Sequence, residues 1–166
     1  MNTNFETKGK GNKAGTVEWY TPPEIIRALG RFDLDPCTSA QAIAINHSAK
    51  NYFTRKDNGL KQAWSGRVWL NPPYDPSIHL FMEKMSEHGN GIALIYTRCD
   101  SAWFQRHVLG QADAVLFLKK RIRFLNKDGQ TAGSPGCGSL LAAYGKRNAA
   151  YLRQCTLEGK YVGLNH

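Results

Sequence analysis

The sequence predicts an α/β fold, a sheet with helices packed on both faces. Three observations carry this. Strand-like and helix-like patterns alternate from residue 32 to residue 118. Gly91-Ile92-Ala93-Leu94-Ile95-Tyr96 and Ala114-Val115-Leu116-Phe117-Leu118 are continuous apolar runs, the mark of strands covered on both faces. Two shorter strand-like stretches, Phe32-Asp33-Leu34-Asp35 and Val68-Trp69-Leu70-Asn71, each run into proline, which has no N–H to give a ladder.

In chain order, residues 1–17 are polar, rich in Gly and Lys, and without periodicity, so they read as a flexible arm. Residues 18–166 read as a single domain. Thr21 is placed to cap a helix, with Pro22 at its first position and Glu24 three residues past the cap. Ile25, Ile26 and Leu29 would face inward, and Gly30 would end the helix. The stretch from Phe32 is a short strand with Asp35 at its end. Residues 38–48 read as a short helix, and Tyr52-Phe53-Thr54 as a strand. Arg55-Lys56-Asp57-Asn58-Gly59 is turn chemistry, and residues 60–64 a single helical turn.

Val68-Trp69-Leu70 is a buried strand. Asp75-Pro76-Ser77 then opens a helix that puts Ile78, Phe81, Met82 and Met85 on one face and ends at Gly89. Another helix opens at Asp100-Ser101, with Trp103, Phe104, His107 and Val108 on one side. Lys119 to Phe124 is basic, with only Ile122 and Phe124 suited to a core. Residues 125–138 contain four glycines and read as a mobile loop that orders on a partner. Ser139 to Tyr144 is the last clear strand, with one more expected around Tyr161-Val162.

Composition narrows the function. No apolar run spans a bilayer, and a secretory core is absent from the N-terminus, so a cytoplasmic protein is expected. The four cysteines form no C-x-x-C pair, which argues against zinc and for free thiols. No metal is expected. The net charge is +9, and residues 119–166 supply +7 of it. Lys119, Lys120, Arg121, Arg123 and Lys127 cluster where the last apolar run ends. That asymmetry points to a polyanion, with a merely solvated basic face as the alternative.

Asn71-Pro72-Pro73-Tyr74 carries the chemistry. Strand ends of open α/β sheets are where ligands bind. The Asn71 side-chain carbonyl and the Pro72 backbone carbonyl are two acceptors, and Tyr74 is a flat platform. Together they suit the exocyclic amine of a planar heterocycle. The bland reading is a proline-rich turn after a strand.

Asn-Pro-Pro-Tyr resembles the catalytic motif of S-adenosylmethionine-dependent amino-methyltransferases. Trp19-Tyr20-Thr21-Pro22 resembles their segment on the methionine end of the cofactor, and Leu34-Asp35-Pro36-Cys37 their strand whose Asp meets the methionyl amino group. In this order the set resembles the phage-type DNA N-6-adenine methyltransferases of the Dam group, over residues 18–145. The resemblance implies a Rossmann-like sheet, here abbreviated, because only residues 36–70 lie between Asp35 and Asn71. It implies S-adenosylmethionine held by Trp19, Thr21, Pro22, Asp35, Pro36, Cys37 and Asn71. It further implies double-stranded DNA as substrate, and a phage or prophage gene acting in a bacterial cytoplasm. Asp57 reads either as a carboxylate of an Asx turn or, by resemblance, as the acceptor of the cofactor's adenine amine. Asn46 is the other candidate polar group near the cofactor ribose. The Gly-rich turn usual after the strand-ending Asp is replaced by Pro-Cys. Transfer to cytosine N4 or to RNA, and a catalytically silent DNA-binding module, are the alternative readings. A monomer is the default.

Overall fold

The computed structural model describes residues 19–164 of the protein; the expected arm at 1–17 lies outside them. Their centre is a seven-stranded sheet. Its strands are β1 (Leu34–Thr38), β2 (Asn51–Thr54), β3 (Val68–Leu70), β4 (Gly91–Tyr96), β5 (Ala114–Leu118), β8 (Ser139–Tyr144) and β9 (Gly159–Gly163). A separate hairpin pairs β6 (Phe124–Leu125) with β7 (Thr131–Gly133). The sheet order is β2-β1-β3-β4-β8-β5-β9. β1 to β4 are parallel, and β5 shares their direction because β4 and β5 both run antiparallel to β8. Only β8 and β9 run against the rest.

The helices are α1 (Pro23–Ala28), α2 (Ala40–Asn46), α3 (Ile78–His88) and α4 (Lys146–Gln154). Period-2 alternation along the strands sends neighbours to opposite faces. Trp69, Ile92, Leu94, Leu116, Leu141 and Ala143 pack with Ile25 and Ile26 of α1, with Leu29 just after it, and with Ala149 and Leu152 of α4. Val68, Leu70, Ala93, Ile95, Val115 and Leu140 pack on the other side with Phe81, Met82 and Met85 of α3. The expected sheet with helices on both faces is therefore present.

Several expectations need correction. Thr21 does not cap α1: the cap position is Pro22, without a side-chain hydrogen bond, and the Thr21 hydroxyl is turned elsewhere. β1 does not stop at Asp35. It continues past Pro36 to Thr38, with a register shift in its pairing with β2 between Asp35 and Thr38, because a missing N–H on the β3 side interrupts one ladder without ending the extended chain. Residues 60–64 form no helical turn; Trp64 Nε1 instead donates to the Gly59 carbonyl at 2.8 Å and holds the segment irregular. The helix expected from Asp100 is a π-helix over Phe104–Leu109, where Gly110 N–H reaches back to Gln105 O. Phe104, His107 and Val108 still face the core. The loop expected at 125–138 contains β7 and part of β6, because Phe124 is 2% exposed and anchors the ribbon. Ile122 is buried with it, as expected of the two apolar residues in the basic segment. α4 was not foreseen.

The strand that runs into Asn71 is the third along the chain. β2 is a sheet edge, and residues 55–67 return from it to β3 without a helix. Arg67 fixes that return. Its guanidinium lies between the Phe32 and Tyr151 rings at 4.2 and 4.3 Å, and donates to Leu29 O, Arg31 O and Asn148 Oδ1. Its backbone N–H donates to Asp33 Oδ2 at 2.9 Å, which sets β3 against β1. Among the described residues no helix is long and apolar enough to cross a membrane.

A candidate active site at the switch point of the sheet

The chain lays β2 on one side of β1 and then returns to lay β3 on the other. Such a reversal leaves a crevice at the carboxyl ends of the two strands. Here the crevice is widened by sequence. β1 pairs with β3 only through Leu34 and Val68, and Pro36 has no N–H with which to continue. Leu34, Val68 and Leu70 face one core and Trp69 the other. The same alternation puts Asp35 and Asn71 on the Trp69 side, on neighbouring strands.

Asp35 is 4% exposed. Burial raises its carboxyl from the ordinary value to about 6, partly offset by the hydrogen bonds from Ser48 Oγ and Cys37 N–H. Ser48 was not anticipated, and nothing in its sequence surroundings marks it; only the turn after α2 brings it under β1. Cys37 is half-buried, and its thiol is pushed up to about 12 by burial and by the Asp35 charge. It is thus neutral and packs on the second core. Pro36 is buried, and the chain at Gly59 crosses its carbonyl so closely that a Cβ there would sit 1.9 Å from Pro36 O. That approach holds Asp57-Asn58-Gly59 beside β1. The Asp57 carboxylate is exposed, and its Oδ2 accepts from Thr54 N–H and Thr54 Oγ1, both at 2.7 Å; this is a bond back to the residue three before it rather than the forward bond of the expected Asx turn.

Asn71 follows β3 directly and is half-buried. Its Nδ2 donates to Thr21 Oγ1 at 3.2 Å. Pro72 is buried and Pro73 half-buried. Tyr74 as a residue is 40% exposed, yet its hydroxyl points inward and donates to Leu94 O at 3.1 Å. Burial of that end raises the hydroxyl well above the ordinary tyrosine value. One face of the ring is stacked on Tyr96, with centroids 3.7 Å apart and planes at 15°. Tyr96 was missed in the sequence reading. The signal was available, since it too is an aromatic residue at the carboxyl end of a buried strand.

The N-terminal segment and the hairpin cover this edge. Trp19 stacks on Phe124 at 5.6 Å, and Tyr20 and Leu125 exchange two backbone hydrogen bonds of 2.9 Å. Gln41 Nε2 donates to Lys127 O at 2.7 Å, tying α2 to the hairpin. Trp19 Nε1 and Asn46 Oδ1 are buried and have no hydrogen-bond partner. Such orphaned groups cost about 1–3 kcal/mol each unless a ligand or water meets them.

β5 ends on the same edge as β1, β3 and β4, so its basic continuation emerges on that edge, beyond β4 and β8. Lys119, Lys120, Arg121, Arg123 and Lys127 are all exposed. Lys119 and Lys120 share Glu158 at 3.7 and 3.9 Å. Arg121, Arg123 and Lys127 have no ion pair among the described residues. Two clefts of about 240 Å³ lie outside this crevice, one between the ends of α1 and α2 and one beside Ile25, Leu118 and Lys120. No cluster of three or more His, Cys, Asp or Glu side chains suited to a metal occurs among the described residues.

A family model described as DNA N-6-adenine-methyltransferase (Dam) matches residues 8–148. No curated protein matches the chain. The matched span holds all three motifs at the crevice and the basic segment beyond β5.

Proposed function

The chain belongs to the DNA N-6-adenine-methyltransferase (Dam) family, and on that footing we propose that it transfers a methyl group from S-adenosylmethionine to N6 of an adenine extruded from double-stranded DNA. One observation carries the reading: a buried carboxylate, Asp35, and the Asn71–Tyr74 turn share one face of the crevice between β1 and β3. In this reading the sheet is an abbreviated Rossmann-like methyltransferase sheet.

The residues at hand fit the cofactor. Asp35 is a buried acid without a cationic partner among the described residues, suited to an ammonium group. Trp19 Nε1 is an orphaned donor and Asn46 Oδ1 an orphaned acceptor. Trp19, Pro22, Asp35, Pro36 and Cys37 would line the methionyl side. Asn46 and the Asp57 turn are the nearest polar groups for the nucleoside. When bound, S-adenosylmethionine supplies an electrophilic methyl on a sulfonium sulfur.

The chain's own groups would prepare the amine. The lone pair of an exocyclic amine is delocalised into its ring and attacks poorly. Asn71 Oδ1 and Pro72 O would each accept one N–H, which favours a pyramidal nitrogen and directs its lone pair. The nitrogen would take the methyl that the bound cofactor supplies, the sulfur keeping the carbon–sulfur electron pair, and one N–H proton would leave to solvent. Orientation supplies much of the rate, so neither a metal nor a covalent nucleophile is required. The base must leave the duplex to reach the site. It would stack on the exposed face of Tyr74, which Tyr96 backs, an interaction worth about 1–3 kcal/mol. Arg121, Arg123 and Lys127 would hold phosphates.

Nucleoside mass spectrometry after incubation with DNA and cofactor tests the reading. N6-methyladenine is the expected product. N4-methylcytosine alone would move the target to cytosine. DNA binding without cofactor binding in calorimetry would make the protein a binding module.

A further inference from the structure

We infer that Thr21 is a positioning residue for Asn71, holding its amide so that Oδ1 faces the substrate. The inference rests on the proposed reaction for its consequence, though not for its geometry, and it replaces the expectation that Thr21 touches the cofactor.

Thr21 is 1% exposed, and its hydroxyl does not cap α1, where a threonine before Pro-Pro-Glu would ordinarily be used. The hydroxyl instead accepts from Asn71 Nδ2 at 3.2 Å. The residue is held from both sides. Tyr20, just before it, makes the two-bond bridge to Leu125, and Pro22, just after it, has φ fixed near −57°. The Thr21 carbonyl accepts from Asn46 Nδ2 at 3.4 Å. A relay thus runs from α2 through Thr21 to Asn71.

The consequence follows from the two ends of a carboxamide. An exocyclic amine approaching with its N–H groups needs an acceptor, and a rotated Asn71 would present NH2 to it, donor against donor. With Nδ2 on Thr21, Oδ1 faces the turn; the Tyr74 hydroxyl lies 3.5 Å from it but is committed more closely to Leu94 O at 3.1 Å, so Oδ1 keeps a lone pair for the substrate. Pre-set groups of this kind cost no reorganisation at the moment of reaction.

Thr21→Val keeps the shape and removes the hydroxyl; Thr21→Ser keeps the hydroxyl. The inference expects Thr21→Val to lower kcat about tenfold, with cofactor affinity within about twofold of the parent. Thr21→Ser should stay near the parent in both. A cofactor affinity reduced about tenfold with kcat retained at saturation would overturn it, as would equal losses in the two variants. A second arm needs no activity. In 15N spectra of the full chain, one Asn71 Hδ2 resonance should move in Thr21→Val and stay in Thr21→Ser, and an unmoved pair in Thr21→Val would overturn the inference. Failure of the parent protein to methylate DNA would sink the proposed function and leave this spectral test in force.

Discussion

The Tyr74 hydroxyl donates to the Leu94 carbonyl, the acceptor that residue 72 would occupy were it not proline. The β3–β4 ladder starts with Val68 N–H on Asn90 O, and Val68, Trp69 and Leu70 lie opposite Gly91, Ile92 and Ala93. Its two-residue repeat puts the N–H of position 72 on Leu94 O. Pro72 has none, so β3 ends, Leu94 O is left open, and Tyr74 returns to fill it. The turn and the ring orientation are thus one device. The motif needs its second residue to lack a donor and its fourth to carry one.

This relationship changes what Tyr74→Phe should do. Stacking needs only the ring, which suggests tolerance. The missing bond to Leu94 O should nevertheless cost about 1 kcal/mol of stability and loosen the ring. The expected order of kcat/KM is parent, then Tyr74→Phe, then Tyr74→Ala. Steady-state kinetics with urea melts checks it; a Phe variant as stable as the parent would remove the hydroxyl from the account.

Asp35 gives a pH dependence with a defined sign. Its folded carboxyl sits near 6 against an ordinary 3.8. Between those values the folded state holds the proton more tightly than the unfolded chain, so stability falls as pH rises through that window and levels off above about 6. The loss is roughly 3 kcal/mol. Asp35→Asn should therefore flatten the profile and leave the cofactor-free protein more stable at pH 7.5, while cofactor affinity drops sharply. Thermal melts at pH 5 and pH 7.5, with calorimetry, separate the two effects.

Arg67 makes a structural prediction. Lysine cannot stack between Phe32 and Tyr151 and also serve Leu29 O, Arg31 O and Asn148 Oδ1. Arg67→Lys should lose about 3 kcal/mol of stability by leaving buried acceptors unpaired. A melting temperature unchanged from the parent would contradict that.

For DNA, the free cations matter most. Replacing Arg121, Arg123 and Lys127 with Gln should reduce the slope of log affinity against log salt by about 0.9 for each phosphate no longer neutralised. Lys119→Gln with Lys120→Gln should change it less, because both already face Glu158. Fluorescence anisotropy across a salt series distinguishes the two sets; equal effects would mean Glu158 gives no screening.

The strands were legible where burial on both faces left continuous apolar runs, as in Gly91–Tyr96 and Ala114–Leu118. The crevice was legible because Pro36 and Pro72 mark where ladders break. α4 was hidden because its inward face uses Asn148, a polar side chain whose Nδ2 finds Tyr144 O and Asn90 Oδ1 at 2.7 and 3.0 Å and whose Oδ1 finds Arg67 Nε at 2.6 Å, all of them distant or tertiary partners save Tyr144. The hairpin was hidden by its glycines, since its anchor Phe124 finds Trp19 only in the fold. Thr21 carried a genuine capping pattern, and a tertiary partner, Asn71, outcompeted it. Asp57 took its local turn, the bonding closest to it in sequence.

The central claim is that Asn71 readies the amine without holding the cofactor in place. The most direct test compares the parent with Asn71→Ala in a single-turnover assay on DNA at saturating S-adenosylmethionine, with nucleoside mass spectrometry as readout. The account predicts N6-methyladenine from the parent and a rate lower by roughly 100-fold or more in the variant, at nearly unchanged cofactor affinity. Methylation by Asn71→Ala at the parental rate would contradict it.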